Sequence, residues 1–149
     1  MQLDEDLAER LLLSCAALTR EAAAAATGTR LSLTQARVLG TLHRDGPLRV
    51  SRLAELEGCA QPSMTGLVTR LTDAGLVTRT ADPADARAVL VALTHEGRDV
   101  LLANRRALRA PLARALHDLP ATPGDLERLT GLLEDVTTAL APGRTPRVD

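Results

Sequence analysis

Apolar residues recur at intervals of three and four through most of the chain, and this spacing predicts a mainly helical protein. The predicted helices cover about 3–27, 32–45, 49–58, 61–74, 95–117 and 123–141. The period changes in one region, where extended segments at 76–80 and 88–93 flank the turn residues Asp82-Pro83-Ala84-Asp85. The fold class is therefore predicted to be mainly α with a small β-wing.

The helix predicted at 61–74 has an unusual outer face. Its inner stripe is Met64, Leu67, Val68 and Leu71, which we expect to lie in the core. The opposite face has neither Lys nor Glu and carries small uncharged groups with one guanidinium: Gln61, Ser63, Thr65, Gly66, Thr69 and Arg70. Short amides and hydroxyls suit base edges and phosphate oxygens. An ordinary solvated helix surface is the alternative.

The elements around this helix predict a winged helix-turn-helix at about 32–93. A short helix ending at Gly58 precedes it, and the hairpin, with Arg87 near its tip, follows it. In that arrangement the second helix enters the major groove of double-stranded DNA. Arg49, Arg52 and Arg79 are then candidate phosphate contacts, with solvated arginines as the alternative.

Several ordered motifs resemble the MarR-type transcriptional regulators, and together they span nearly the whole chain. The matching segments are Leu53-Ala54, Gln61-Pro62-Ser63, Leu71 with Gly75-Leu76-Val77, and Asp82-Pro83-Ala84-Asp85-Ala86-Arg87, followed by Leu93-Thr94-His95-Glu96-Gly97. The resemblance implies a homodimer that binds a pseudo-palindromic operator and most often represses transcription. It also implies that Arg87 enters the minor groove while Asp85 orients its guanidinium. A small, often phenolic effector would bind between the winged lobe and the dimer helices.

Three amphipathic helices, at about 3–27, 95–117 and 123–141, lie outside the winged lobe. The last carries apolar residues at alternating spacings of three and four, a short heptad seam: Leu126, Leu129, Leu133, Val136 and Leu140. The seam could cover the chain's own core, but one lobe is too small for so much apolar surface. We therefore predict a single domain over 1–149 whose outer helices form an obligate homodimer.

Composition narrows the function further. All 18 basic residues are arginine and the net charge is −1, so DNA binding must come from locally placed arginines. No nucleophile elbow, phosphate loop or carboxylate pair is present, so neither an enzyme nor a cofactor is expected. The absence of a long apolar run and the acidic N-terminus favour a cytoplasmic protein without a membrane span. The low charge and Ala86 leave one alternative, a protein-interaction module that does not bind DNA.

The two cysteines and three histidines give weak signals. Cys15 lies on an apolar helix and is predicted to be a small buried hydrophobe rather than a redox sensor. Cys59 precedes a helix start, where the positive dipole end favours a thiolate, and is a weak sensor candidate. The histidines lack metal-ligand spacing, so no metal site is predicted.

Overall fold

The computed structural model describes residues 5–28 and 30–140. The elements are α1 (Glu5–Ala25), α2 (Leu33–Asp45), β1 (Leu48–Arg49), α3 (Val50–Glu57), α4 (Gln61–Asp73), β2 (Val77–Asp82), β3 (Asp85–Leu93), α5 (His95–His117) and α6 (Pro123–Leu140). The prediction of a mainly helical fold with a small β-wing is confirmed. The predicted helix start at residue 3 and helix end at residue 141 lie outside the described residues.

The helix boundaries follow from local hydrogen-bonding chemistry. At the start of α2, Ser32 Oγ accepts a hydrogen bond from the Gln35 N–H, and Gln35 Oε1 accepts one from the Ser32 N–H. This reciprocal pair satisfies two amide donors that the first helical turn leaves unpaired. Gly58 ends α3 in the left-handed conformation at φ 64°, and Pro62 lies in the first turn of α4, where a missing N–H costs little.

The inner stripe of α4 lies at the centre of the hydrophobic core, as its spacing predicts. Met64, Leu67, Val68 and Leu71 are buried against residues of α2, α3, the sheet and the start of α5. Burying each side chain of this size contributes roughly 1.5–3 kcal/mol to folding. Because the inner face of α4 is packed in the core, its outer face is held pointing away from the core.

The sheet differs from the prediction in two respects. Residues Leu48–Arg49 form β1, whereas the sequence placed Arg49 inside the third helix. β1 pairs with β3, which also pairs with β2, giving an antiparallel order β1-β3-β2. The wing strands also extend further than predicted, because Asp82 pairs with Asp85 and only Pro83-Ala84 remains as the turn.

A compact joint connects the end of α4 to the start of α5. Thr94 Oγ1 donates a hydrogen bond to the Gly75 carbonyl oxygen at 2.8 Å and accepts one from the Gly97 N–H at 2.9 Å. The Thr94 N–H donates to the Leu76 carbonyl oxygen at 3.1 Å. A Cβ on Gly97 would lie 2.0 Å from that same carbonyl oxygen, so only glycine permits this approach. Thr94 therefore caps the start of α5 and also bonds to the turn after α4.

The chain divides into two units, residues 1–112 and 113–149, which are described separately. In the first unit, no residue of α1 is buried, and Leu12 remains 71% exposed. In the second, no residue of α6 is buried, and Leu140 remains 77% exposed. Apolar faces of this size are unusual on a monomer surface. Among the described residues, no helix is long and apolar enough to cross a membrane.

Candidate nucleic-acid interface

The predicted outer face of α4 is exposed, and its threonines already use their hydroxyl protons. Thr65 Oγ1 donates to the Gln61 carbonyl oxygen at 2.9 Å, and Thr69 Oγ1 donates to the Thr65 carbonyl oxygen at 3.0 Å. Each hydroxyl lies back along the helix, so each threonine offers a methyl group and oxygen lone pairs to a partner. Ser63 and Arg70 are exposed on the neighbouring strip of the same helix.

A groove of about 340 Å³ brings the start of α4 together with the wing. It is lined by Arg49, Val50, Ser51, Gln61, Thr65, Arg79, Arg87, Ala88 and Val89. Residues from five elements, β1, α3, α4, β2 and β3, therefore share one concave surface. Of the predicted DNA-binding residues, five lie outside this lining: Arg52, Ser63, Thr69, Arg70 and Asp85. The Arg70 guanidinium lies close to Gly66, 3.7 Å from the position that a Cβ would take there.

Two arginines of the hairpin, Arg79 and Arg87, line the groove, and the strand pairing determines the face on which Arg79 lies. Val77 pairs with Leu93 and Arg79 with Val91, so these residues share one face of the hairpin. Val77 and Val91 are buried, while Arg79 is exposed. The same face thus changes from apolar to basic as the strands leave the core.

Arg87 is held through its backbone. Asp85 Oδ1 accepts a hydrogen bond from the Arg87 N–H at 3.1 Å. The resemblance implies that Asp85 orients the Arg87 guanidinium, and in this structure the Asp85 carboxylate bonds to the backbone N–H of Arg87. Among the described residues, the Arg87 guanidinium has no ion-pair partner. An exposed, unpaired guanidinium beside the start of α4 is suited to an anionic partner.

Arg49, predicted as a phosphate contact, is bound to an acid of the wing. Its Nε donates to Asp82 Oδ2 at 2.7 Å, and one terminal nitrogen lies 2.6 Å from the same oxygen. Asp82 is only 9% exposed. A hydrogen bond from the Ala84 N–H, together with the Arg49 guanidinium, holds the pKa of Asp82 below its usual value. The pair is therefore charged at neutral pH.

The remaining arginines of the interface differ in whether an acidic residue of the protein neutralises their charge. Arg52 forms an exposed ion pair with Glu55 at 2.9 Å, which is worth little energetically. Arg70 and Arg79 have no ion-pair partner among the residues that the structure describes. The positive charge of the interface is thus concentrated on Arg70, Arg79 and Arg87.

The cysteines lie apart from this groove lining. Cys15 is partly exposed in α1, so the prediction that it is buried does not hold for the single chain. Cys59 is exposed in the turn before α4, where its N–H donates to the Ala54 carbonyl oxygen at 3.0 Å. Within 5–28 and 30–140, no group of His, Cys, Asp or Glu side chains is arranged to hold a metal ion.

Sequence reasoning missed the contact between Arg49 and Asp82. The available signal was Arg49 itself, which occupies the cap position of α3 but makes no side-chain cap hydrogen bond. Ser, Thr, Asp and Asn are the residues that stabilise this position. An arginine at this position indicates a contact other than a helix cap, and in the structure that contact is with Asp82 of the wing.

Two helices joined by a glycine-terminated turn, a polar outer face on the second and a basic hairpin beside it define a winged helix-turn-helix protein. The sequence profile of the MarR family matches residues 31–89. An HTH-type transcriptional regulator of Mycobacterium bovis is 35% identical over 125 residues, covering 84% of this chain and 87% of the relative. The chain belongs to the MarR family, and it is a helix-turn-helix transcriptional regulator.

Solved structures agree with this assignment. A probable transcriptional regulator from Pseudomonas aeruginosa is 32% identical with a TM-score of 0.66, covering 87% of this chain and 98% of that one. The crystal structure of RV1404 from Mycobacterium tuberculosis is 26% identical with a TM-score of 0.74, covering 99% of this chain and all of that one. The likeness therefore extends beyond the winged lobe to the outer helices.

Proposed function

We propose that the protein is a ligand-responsive repressor that binds a pseudo-palindromic operator as a homodimer. The observation that carries the proposal is the shared groove, in which Gln61 and Thr65 of α4 lie beside Arg79 and Arg87 of the wing. One surface thus combines uncharged groups suited to base edges with cations suited to phosphates and a narrow minor groove.

In this proposal the first half of α4 enters the major groove. Gln61 has the amide geometry that pairs with adenine, and Thr65 and Thr69 present methyl groups that suit the thymine methyl. Arg87 enters the flanking minor groove, while Arg79 contacts phosphate. Arg52 and Arg70 are further phosphate contacts, with Ser63 beside them.

The whole chain, 1–149, acts as one dimeric unit in the proposal. Its support is the exposed apolar surface of the outer helices, which a second copy would cover: Leu7, Leu11, Leu12, Leu13 and Leu18 of α1, and Leu129, Leu132, Val136 and Leu140 of α6. A two-fold symmetric dimer presents two copies of α4, and an operator with two half-sites matches that symmetry.

A cavity next to α5 supports effector binding. It measures about 430 Å³ and is lined by Gly28, Arg30, Glu96, Asp99, Val100, Ala103 and Asn104. Asn104 is 5% exposed, and its side-chain oxygen has no hydrogen-bond partner among the described residues. A buried acceptor without a partner favours a ligand that donates a hydrogen bond. Because the chain has no aromatic residue, a phenolic ligand would lack a stacking partner here.

The test is a selection of bound fragments from the genome of the source organism, followed by footprinting of the enriched sites. We expect an inverted repeat with two protected half-sites. Arg87→Ala should weaken binding, whereas Arg106→Ala, an exposed arginine of α5 outside the groove lining, should not.

Enrichment of no sequence at low salt would refute the proposal and favour a protein-interaction module instead. The neutralised arginines Arg49 and Arg52 are the observation that favours this second candidate. Its signature would be a protein partner that competes for the groove of Gln61 and Arg87.

A further inference from the structure

We propose that Arg49 is a positioning residue that anchors the wing through Asp82 and so places Arg87, rather than a phosphate contact. The proposal rests on the proposed DNA-binding function. The proposal gives Arg49 a role in operator binding even though its guanidinium contacts Asp82 and not the DNA.

Both ends of the anchor are fixed. Arg49 pairs with Leu90 in the β1–β3 ladder, so its backbone is part of the sheet. Its guanidinium reaches Asp82 Oδ2 through two nitrogens, at 2.7 and 2.6 Å, and a third nitrogen lies 3.9 Å from Asp85 Oδ2. The two ends are 33 residues apart in sequence, so the contact ties the base of α3 directly to the wing.

Asp82 divides its two oxygens between the anchor and the turn. While Oδ2 accepts from Arg49, Oδ1 accepts from the Ala84 N–H at 2.8 Å. Asp82 also lies where the strand register shifts, between Ala81 and Asp82. Irregularities of this kind redirect a strand and require support from side chains. The contacts continue through Asp85, whose Oδ1 accepts from the Arg87 N–H.

Releasing Arg49 to a phosphate would be costly because Asp82 is almost buried. Its carboxylate, which is only 9% exposed, would lose its charge partner, whereas the Arg49 side chain is 43% exposed and could be solvated. The lowered pKa of Asp82 agrees with a carboxylate that is stabilised in its charged form. The groups that face it are the Arg49 guanidinium from β1 and the Ala84 N–H of the turn, with Asp85 on β3 nearby.

The experiment measures operator affinity against salt concentration for Arg49→Ala, Asp82→Asn and the double variant. We expect each single variant to weaken binding roughly tenfold, and the double variant to be no weaker than the worse single, as for partners in one network. The salt slope should stay close to that of the wild type. Arg79→Ala, the matched comparison for a phosphate contact, should lower the log–log slope by about 1.8 in the dimer, about 0.9 for each copy.

A phosphate role for Arg49 predicts the opposite pattern. Arg49→Ala would then lower the slope by about 1.8, and Asp82→Asn would tighten binding by freeing the guanidinium. Either result overturns the proposal. Footprints at saturating protein give a second readout: we expect Arg49→Ala to keep protection of both the flanking minor groove and the major groove, because Arg87 still reaches the DNA once binding orders the wing. Loss of both protections together would also contradict an effect confined to the wing.

Hydrogen exchange of the free protein separates this proposal from the proposed function. We expect the amides of residues 84–87 to exchange faster in Arg49→Ala and in Asp82→Asn, with α2 and α4 unchanged. Unchanged exchange in the turn overturns the anchor, whether or not the protein binds DNA. Absence of operator binding by the wild type, with faster exchange in the variants, refutes only the proposed function.

Discussion

Thr65 offers a test of how α4 reads bases, because its two functional groups can be removed separately. Thr65→Val keeps the shape and the methyl group but removes the hydroxyl, whereas Thr65→Ser keeps the hydroxyl and removes the methyl. The hydroxyl proton is already donated to the Gln61 carbonyl oxygen at 2.9 Å. We therefore expect the methyl group to carry the discrimination, through contact with a thymine methyl.

The magnitude follows from the area that one methyl group buries. Burying a single methyl-sized group contributes about 0.8 kcal/mol, so the two half-sites of a dimer give about 1.6 kcal/mol, or about 15-fold in affinity. The assay compares operators in which one thymine of each half-site is replaced by uracil, which lacks only the 5-methyl group. The wild type and Thr65→Val should prefer thymine by about this factor, and Thr65→Ser should lose the preference.

The matched control is Thr72→Val, since Thr72 makes the same bond to the Val68 carbonyl oxygen at 2.8 Å but is half-buried, two turns further along α4 and outside the groove lining. This variant should leave the thymine preference intact. A Thr65→Ser protein that still discriminates, or a Thr65→Val protein that does not, would refute the reasoning. The hydroxyl would then be the reading group, released from the helix backbone on binding.

Three further predictions concern the wing, the dimer and the cysteine. Arg87→Ala should weaken operator binding and lower the salt slope by about 1.8, while Asp85→Ala should also weaken binding, although it removes an acid, because the Arg87 N–H loses its acceptor. Isotherms at several salt concentrations check both, and tighter binding by Asp85→Ala would contradict the role of that carboxylate. Leu133→Glu should weaken the dimer and operator binding together, as sedimentation and binding assays would report; a stable dimer would locate the interface elsewhere. Cys15→Ser should release DNA under peroxide to the same extent as the wild type, and a difference between them would make Cys15 a sensor.

The sequence predicts the elements that are marked by a local pattern of residues, such as a regular spacing of apolar positions. The stripe of Met64, Leu67 and Leu71 has the period of a helix, and the Ser32–Gln35 pair marks a helix start, so both are visible without a structure. β1 is not visible, because two residues show no period and their pairing partners, Leu90 and Val91, lie some forty residues further along the chain.

Part of the candidate interface could likewise be predicted from the sequence, and part could not. The outer face of α4 and the basic hairpin follow from helix and strand periodicity, so Gln61, Thr65 and Arg87 were predictable as exposed neighbours. The contact between Arg49 and Asp82 could not be predicted, because the sequence does not show whether an arginine is solvated or forms an ion pair. Asp82 and Asp85 were assigned to the turn since aspartate is a poor strand former, yet they pair with each other.

The Thr94–Gly97 joint connects the C-terminal end of α4, together with the core packed around it, to the start of α5. Asp73, the last residue of α4, lies at the end next to this joint, and Gln61 lies about 18 Å from it along the helix, at 1.5 Å per residue. A rotation of about 10° at the joint would swing Gln61 by about 3 Å, close to the ~3.4 Å spacing of successive bases on one strand. A rotation of α5 that carried α4 with it would therefore displace Gln61 by about one base step. The cavity that contains Asn104 lies on the same helix, two turns beyond Gly97.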